Sequence, residues 1–383
     1  MKLRRFLRSF CFFTLLASTA AAEWEVHRFE GRDYVTLDSI AAFYGFPKPA
    51  PPSPVTAAAI AAMFPVAGAA SATEFGITTA AAFTALSRTI VLDSGPLHLE
   101  VTPGLSEANI NGVKQWLAFP VRMEAGRALI SRLDLSKIIE PRLRPELITG
   151  LQPVTTVVLD AGHGGHDRGA ISRFGFEKDF ALDVALRTRV LLEKAGFKVV
   201  MTRATDVFIP LDERPAVANR ISNSIFVSIH FNASSSNAAA RGFEIFSIAP
   251  RGAPATNDSK PSERDLREEA GNAVELPSGA LAGTVFHALL GQVPMVDRGL
   301  KHARFAVLRQ CERPAVLVEC GFVSNAAESS LISSGTWRGR IAAAVADGVE
   351  NYRALAESGH RPKTIADYRR ASSRLQLRDT ATP

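Results

Sequence analysis

The sequence predicts an α/β fold: a mostly parallel twisted sheet with helices on both faces, preceded by a small α+β accessory domain. Three features lead there. From Thr155 onward, short apolar runs such as "TTVVLD", "IFVSIH" and "PAVLVE" alternate with longer segments of helical period, the pattern of buried parallel strands and crossover helices. Each run ends on, or just before, a carboxylate or a histidine, at the strand end where open α/β sheets bind ligands. Before residue 150 the apolar runs are shorter and broken by turn residues.

Met1 to Ala22 reads as a secretory leader, with Lys2, Arg4, Arg5 and Arg8, then "FCFFTLLASTA", then small residues ahead of Glu23. The leader predicts export. The chain has 44 Lys and Arg against 38 Asp and Glu. Four of the basic residues and none of the acidic ones lie in the leader, leaving 40 against 38, a net charge of +2 rather than +6. With no basic stripe interleaved with aromatics, nothing points to a nucleic-acid partner. The leader is too short for a transmembrane helix, and no later segment has roughly 20 uninterrupted apolar residues, so none is expected.

Residues 23–150 form the accessory domain. "RDYVTLDSIAAFYGF" reads as a strand entering a short helix, "RTIVLDSGPLHLEV" as a turn-linked strand pair and "QWLAFPVRMEAGRALIS" as another hairpin. "PKPAPPSPVTAAAIAAMF" interrupts them, its first half extended because proline fixes φ and restricts the residue before it. With "PGLSEANINGV" and "ALISRLDLSKII", this order resembles the stalk domain named after the N-terminal domain of copper amine oxidases. No copper ligands are present; the resemblance implies a role in positioning or dimer contact.

In residues 151–356 the expected strands are Thr155 to Asp160, Lys198 to Thr202, Ile225 to Ile229, Gly242 to Ser247, Phe305 to Leu308 and Ala315 to Glu319. Expected helices are Glu177 to Ala195, Leu211 to Ser222, Ala280 to Leu290 and Trp337 to Leu355. The first is the clearest, with Phe180, Ala181, Val184, Thr188, Leu191 and Ala195 recurring at helical spacing before Gly196. Residues 357–383 are polar and weakly patterned, as a disordered tail is. Outside the leader, Cys311 and Cys320 form no disulfide framework. Cys320 lies in "AVLVECGF", where a free cysteine acts as a small buried hydrophobe.

His163 follows "VVLD", His230 ends "IFVSIH" and Glu319 ends "PAVLVE". Glu177 joins them from the first turn of its helix, on the face that packs inward. Two histidines and carboxylates at a strand-end crevice suit zinc, whose catalytic sites take three protein ligands and leave a position open. The remaining carboxylate then serves as general base and acid. Each residue also has an ordinary reading. A strand-end histidine is often structural, Glu177 complements its own helix dipole, and Glu319 is a candidate ion-pair partner. His166 is not counted as a ligand. The spacings, fourteen residues to Glu177 and sixty-seven to His230, lack the compactness of H-E-x-x-H.

At these residues the chain resembles the zinc-dependent N-acetylmuramoyl-L-alanine amidases of the amidase 3 family. The segments that carry the likeness, in order, are "VVLDAGHGGHDRGA", "FEKDFALDVALRTRVLLEKAGFKVVMTRATDVFIPLDERPAVAN", "FVSIHFNAS", "RGFEIF", "DRGLKHARFAVLR" and "PAVLVECGFVSN". The resemblance implies one Zn2+ on His163, Glu177 and His230, with Glu319 as the catalytic carboxylate. It implies peptidoglycan as substrate, cut between N-acetylmuramic acid and L-alanine. Asn232 matches a position that orients substrate or structures the loop; Arg203 and Arg214 read as salt-bridge and packing residues. Some members carry an inhibitory helix that a protein activator removes. In this chain the 248–279 insertion occupies that region, with a helix conceivable from Pro261 to Ala273 and Glu263, Glu268, Glu269 or Glu275 available to approach the metal. A mobile surface loop is the plain alternative. A zinc hydrolase for another amide, or a silent envelope-binding protein, are the other classes to separate.

Overall fold

The computed structural model describes residues 24–47, 89–258 and 260–371. The leader, nearly all of the Pro/Ala stretch and residues 372–383 lie outside them. The first region contains β1 (Val26–Phe29), β2 (Arg32–Thr36), α1 (Leu37–Tyr44), β3 (Ile90–Asp93), β4 (His98–Val101), β5 (Glu107–Ile110), β6 (Val113–Trp116), β7 (Arg122–Glu124), β8 (Arg127–Ser131) and a helical run α2 over residues 132–143. The second contains β9 (Thr156–Ala161), a small hairpin β10 (Ile171–Ser172) and β11 (Gly175–Phe176), α3 (Glu177–Lys194), β12 (Lys198–Met201), α4 (Glu213–Asn219), β13 (Ser224–Asn232), β14 (Phe243–Ile248), α5 (Glu275–Gln292), β15 (Asp297–Ala303), α6 (Ala306–Arg309), β16 (Ala315–Phe322), α7 (Ala326–Ser333) and α8 (Gly335–Ser358).

Ten strands form one mixed sheet in the order β12-β9-β13-β16-β14-β15-β6-β5-β4-β3. Strands β12, β9, β13 and β16 are parallel, β14 runs antiparallel to β16, and β15 is parallel to β14. Side chains alternate across each strand, so β9 sends Val157, Leu159 and Ala161 to one face and Val158 to the other. Helices α3, α5 and α8 cover the first face, and α4 and α6 the second, burying both sides as parallel strands require. Helix α3 has Glu177 and Asp179 in its first turn and Lys194 in its last, charges that oppose its dipole favourably.

Strands β3 to β6 continue this sheet, so the ladder crosses residue 150 without a break. The join is narrow: β6 meets β15 through Leu300 opposite Gln115. Side chains reinforce it. Gln115 Nε2 donates to Leu300 O at 3.1 Å, Trp116 Nε1 to Arg298 O at 3.1 Å, and the Lys114 amide to Asp297 Oδ2 at 3.1 Å. A separate antiparallel sheet, β1-β2-β8-β7, packs with α1 over an apolar cluster that it shares with β3, β4 and β5.

Three expectations need correction. Phe305 to Leu308 is not a strand: "AVLR" forms the helical turn α6, and the strand is the charged segment Asp297–Ala303 just before it. Four apolar residues cannot separate strand from helix, and β15 is disguised because Lys301 is buried against Glu244 at 2.7 Å. The 261–273 helix is replaced by two 3₁₀ turns, Glu263–Leu266 and Ala270–Val274. The tail is ordered over residues 359–371: Arg361 donates to Pro96 O at 2.7 Å, and Tyr368 is buried in the main core from a helical segment over residues 365–371.

Cys311 and Cys320 are both buried free thiols. Among the described residues one stretch, Ala270–Gln292, is long and apolar enough to cross a membrane, and 61% of its window is buried. It includes the core helix α5.

Candidate active site

The crevice outside the carboxyl ends of β9, β13 and β16 gathers the residues singled out in the sequence. His163 leaves β9 in a left-handed conformation, φ 59°. His230 lies near the end of β13, directly opposite Glu319 on β16. Glu177 opens α3 and points into the crevice, buried.

Glu177 is the hub. Its Oε1 lies 3.0 Å from His163 Nε2 and 3.0 Å from His230 Nδ1, and accepts the Phe231 amide at 3.1 Å. Its Oε2 accepts the Ala170 amide at 2.9 Å. The imidazoles meet edge to face with centroids 4.9 Å apart, and one donor atom from each of the three residues lies within 4.8 Å of the others. Asp167 Oδ2 lies 2.8 Å from His163 Nδ1, which aims the ring's other nitrogen at Glu177. Burial opposes the charge on Glu177, but the histidines outweigh it and hold the carboxyl well below its usual range. Burial likewise depresses His163, yet Glu177 and Asp167 prevail and its pKa is raised.

Glu319 is in the opposite condition. Its Oε2 is enclosed without a hydrogen-bond partner among the described residues. Burial first, then the charges of Glu177 and Glu244, push its pKa well above the ordinary value, with Lys301 opposing. A carboxyl poised upward is suited to accepting and returning a proton near neutral pH.

The glycines of "DAGHGGHDRGA" fit the loop around this cluster. A Cβ on Gly162 would stand 2.4 Å from the His230 ring, and one on Gly169 would stand 2.6 Å from Glu177 Oε2 and from the His163 ring. Only glycine leaves these three side chains their positions. Arg214, 2% exposed, clamps the loop by donating to Asp160 Oδ1 at 3.0 Å and to the carbonyls of Ala161 and His163 at 3.0 and 2.8 Å. Arg203 donates to the carbonyls of Ala161, Gly162 and Lys178. Arg214 therefore does the ion-pairing and packing expected of it, whereas Arg203 packs through carbonyl hydrogen bonds and makes no ion pair among the described residues. His166 stands outside the triad, exposed and stacked on Phe208 at 4.2 Å.

Asn232 donates to Glu244 Oε1 at 2.5 Å. Glu244, 3% exposed, also receives Arg298 Nε at 2.8 Å and Lys301 Nζ at 2.7 Å, and pairs in register with Glu319. Residue-level reasoning missed this cluster, as it missed Asp160 and Asp167. Glu244 sits inside the apolar run "FEIFSI", and a lone acid in a buried strand is the signal that marks it.

Four acids of the 248–279 insertion are held in ion pairs with basic residues outside the triad. Asp265 pairs with Arg304 at 2.9 Å, Glu268 with Arg251 at 3.3 Å, Glu269 with Arg309 at 3.8 Å and Glu275 with Lys137 at 2.7 Å.

A family profile for N-acetylmuramoyl-L-alanine amidases matches residues 157–351. The chain is 35% identical over 225 residues to the N-acetylmuramoyl-L-alanine amidase AmiC of Neisseria meningitidis, covering 53% of this chain and 53% of that protein. It is 34% identical over 218 residues to AmiA of Escherichia coli K12, covering 51% and 75%. The chain thus spans about half the length of AmiC and three quarters of AmiA. Among solved structures, an N-acetylmuramoyl-L-alanine amidase from Clostridium difficile 630 aligns with 31% identity over 52% of this chain and 97% of that one, at a TM-score of 0.44.

Proposed function

The chain belongs to the N-acetylmuramoyl-L-alanine amidase family, matched over residues 157–351, and from that premise we propose that it cleaves peptidoglycan between the lactyl group of N-acetylmuramic acid and L-alanine, using one zinc ion. The observation that carries this reading is the convergence of His163, Glu177 and His230 within 4.8 Å, with Glu319 opposite His230 on the next strand. The donor set is two imidazoles and a carboxylate, the buried carboxylate is held ionised, and the loop glycines keep the space clear. His163, Glu177 and His230 would hold the zinc, which when bound supplies Lewis acidity toward an amide carbonyl and toward water.

The protein's own groups do the rest. Asp167 fixes the His163 ring, and Arg203 and Arg214 fix the backbone that carries it. Glu319 takes a proton from the attacking water and delivers it to the alanine nitrogen as the C–N bond breaks, so that the amine leaves neutral. Asn232, fixed by Glu244, orients substrate at the mouth of the crevice. The leader and a cell-wall substrate together support action in the periplasm or elsewhere in the bacterial envelope.

Purified peptidoglycan treated with the mature protein tests this. Intact stem peptides with a free L-alanine amino group are expected by mass spectrometry, absent after chelation and absent with Glu319→Ala. Zinc-dependent release of any other amide product would overturn the substrate assignment.

A further inference from the structure

We propose that Arg298 recognises a carboxylate of the stem peptide, so that the site reads an acidic group on the leaving side of the bond it cuts; this rests on the amidase reading above. Arg298 lies at the start of β15, held on three sides. Its Nε donates to Glu244 Oε2 at 2.8 Å, its guanidinium carbon stands 4.7 Å from the centre of the Phe322 ring, and its carbonyl accepts Trp116 Nε1 at 3.1 Å. Glu244 is the register partner of Glu319 and Phe322 that of Asn232, so the guanidinium is fixed over the strands that carry Glu319 and Asn232.

Its terminal nitrogens donate no hydrogen bond to any other described residue, and 32% of the side chain is open to solvent. The local charge is unbalanced. Glu244 is the carboxylate in contact with Arg298, and it also holds the buried Lys301, so Arg298 does not have this counter-ion to itself. The nearby Glu328 does not cancel the Arg298 charge by contact, since its oxygens accept the amides of Gly242 and Phe322. A planar guanidinium with Nε engaged and its two terminal nitrogens free can still bind a carboxylate strongly. In a peptidoglycan stem, the residue after L-alanine carries such a carboxylate unless it is amidated.

The test uses two soluble muramyl peptides that differ only in whether that carboxylate is free or amidated. With zinc-loaded wild type, KM should be roughly tenfold or more lower for the free acid, the size of a charge-assisted contact. Arg298→Ala should raise KM for the free acid by that factor, leave the amidated substrate within about twofold, and change kcat little. Arg298→Lys should recover part of the preference. Zinc content and thermal melting of each variant establish that the site is intact. If Arg298→Ala does not fold, the wild-type preference and the Lys variant still decide. Equal cleavage of both peptides by wild type overturns the proposal while leaving the amidase reading in place. So does a preference that survives in Arg298→Ala, or an equal loss on both substrates. Cleavage of neither peptide by wild type overturns the amidase reading and this proposal with it.

Discussion

At the ends of β9, β13 and β16, polar side chains sit on an apolar scaffold, whereas across β14, β15 and β6 in the middle of the sheet the polar side chains are part of the scaffold. His163 follows β9, and His230 and Glu319 lie toward the carboxyl ends of β13 and β16; removing one need not disturb the apolar strand residues beneath it. Glu244, Lys301 and Gln115 lie within the sheet and hold strands together through their own bonds. The difference teaches that substitutions in the two places should fail in different ways, the first in chemistry and the second in folding.

The largest effect belongs to Glu177→Ala. Without the carboxylate that both imidazoles approach, zinc and amidase activity should fall to background. Denaturant unfolding should still show a single cooperative transition, and collapse of that transition would erase the contrast. Next is Glu244→Ala in the middle of the sheet, which leaves Lys301 buried without its counter-ion. Urea unfolding should show a loss of roughly 3–5 kcal/mol, with zinc still bound by the surviving protein. A loss below about 1 kcal/mol would mean that the β14–β15 pair is not held by charge.

A smaller effect comes from His302, buried on β15. Burial first, and then Arg304, pull its pKa from 6.5 down to about 4. The unfolded chain therefore binds more protons between these values, so stability is full above pH 6.5 and is lost as pH falls toward 4. Between pH 7 and pH 5 this residue should remove about 2 kcal/mol, and His302→Gln should flatten that part of the pH dependence. An unchanged slope in the variant would contradict it. The smallest is Asp167→Asn, which weakens the aim of His163. Zinc affinity should drop about 10- to 100-fold with stability nearly unchanged, measured by competition with a chelator.

The same contrast explains what was legible in the sequence. Strands β9, β13 and β16 and helices α3 and α8 announce themselves through apolar runs and helical period, and the triad and Glu319 lie at or near the ends of β9, α3, β13 and β16, so four site residues could be named. Strand β15 could not, because "DRGLKHA" reads as a polar loop until Glu244 is known to neutralise Lys301 and Arg298. The continuation of the sheet into β6 rests on side-chain bonds between residues far apart in the chain, and no local pattern carries that. Tyr368 was hidden for a related reason, a single aromatic in a polar tail whose burial depends on a groove made elsewhere.

The most direct test of the central claim is zinc stoichiometry on purified wild type, Glu319→Gln and Glu177→Ala. The account predicts one zinc per chain in the first two and none in the third, with Glu319→Gln losing activity while keeping its metal. One zinc per chain in Glu177→Ala, or none in wild type, would contradict it.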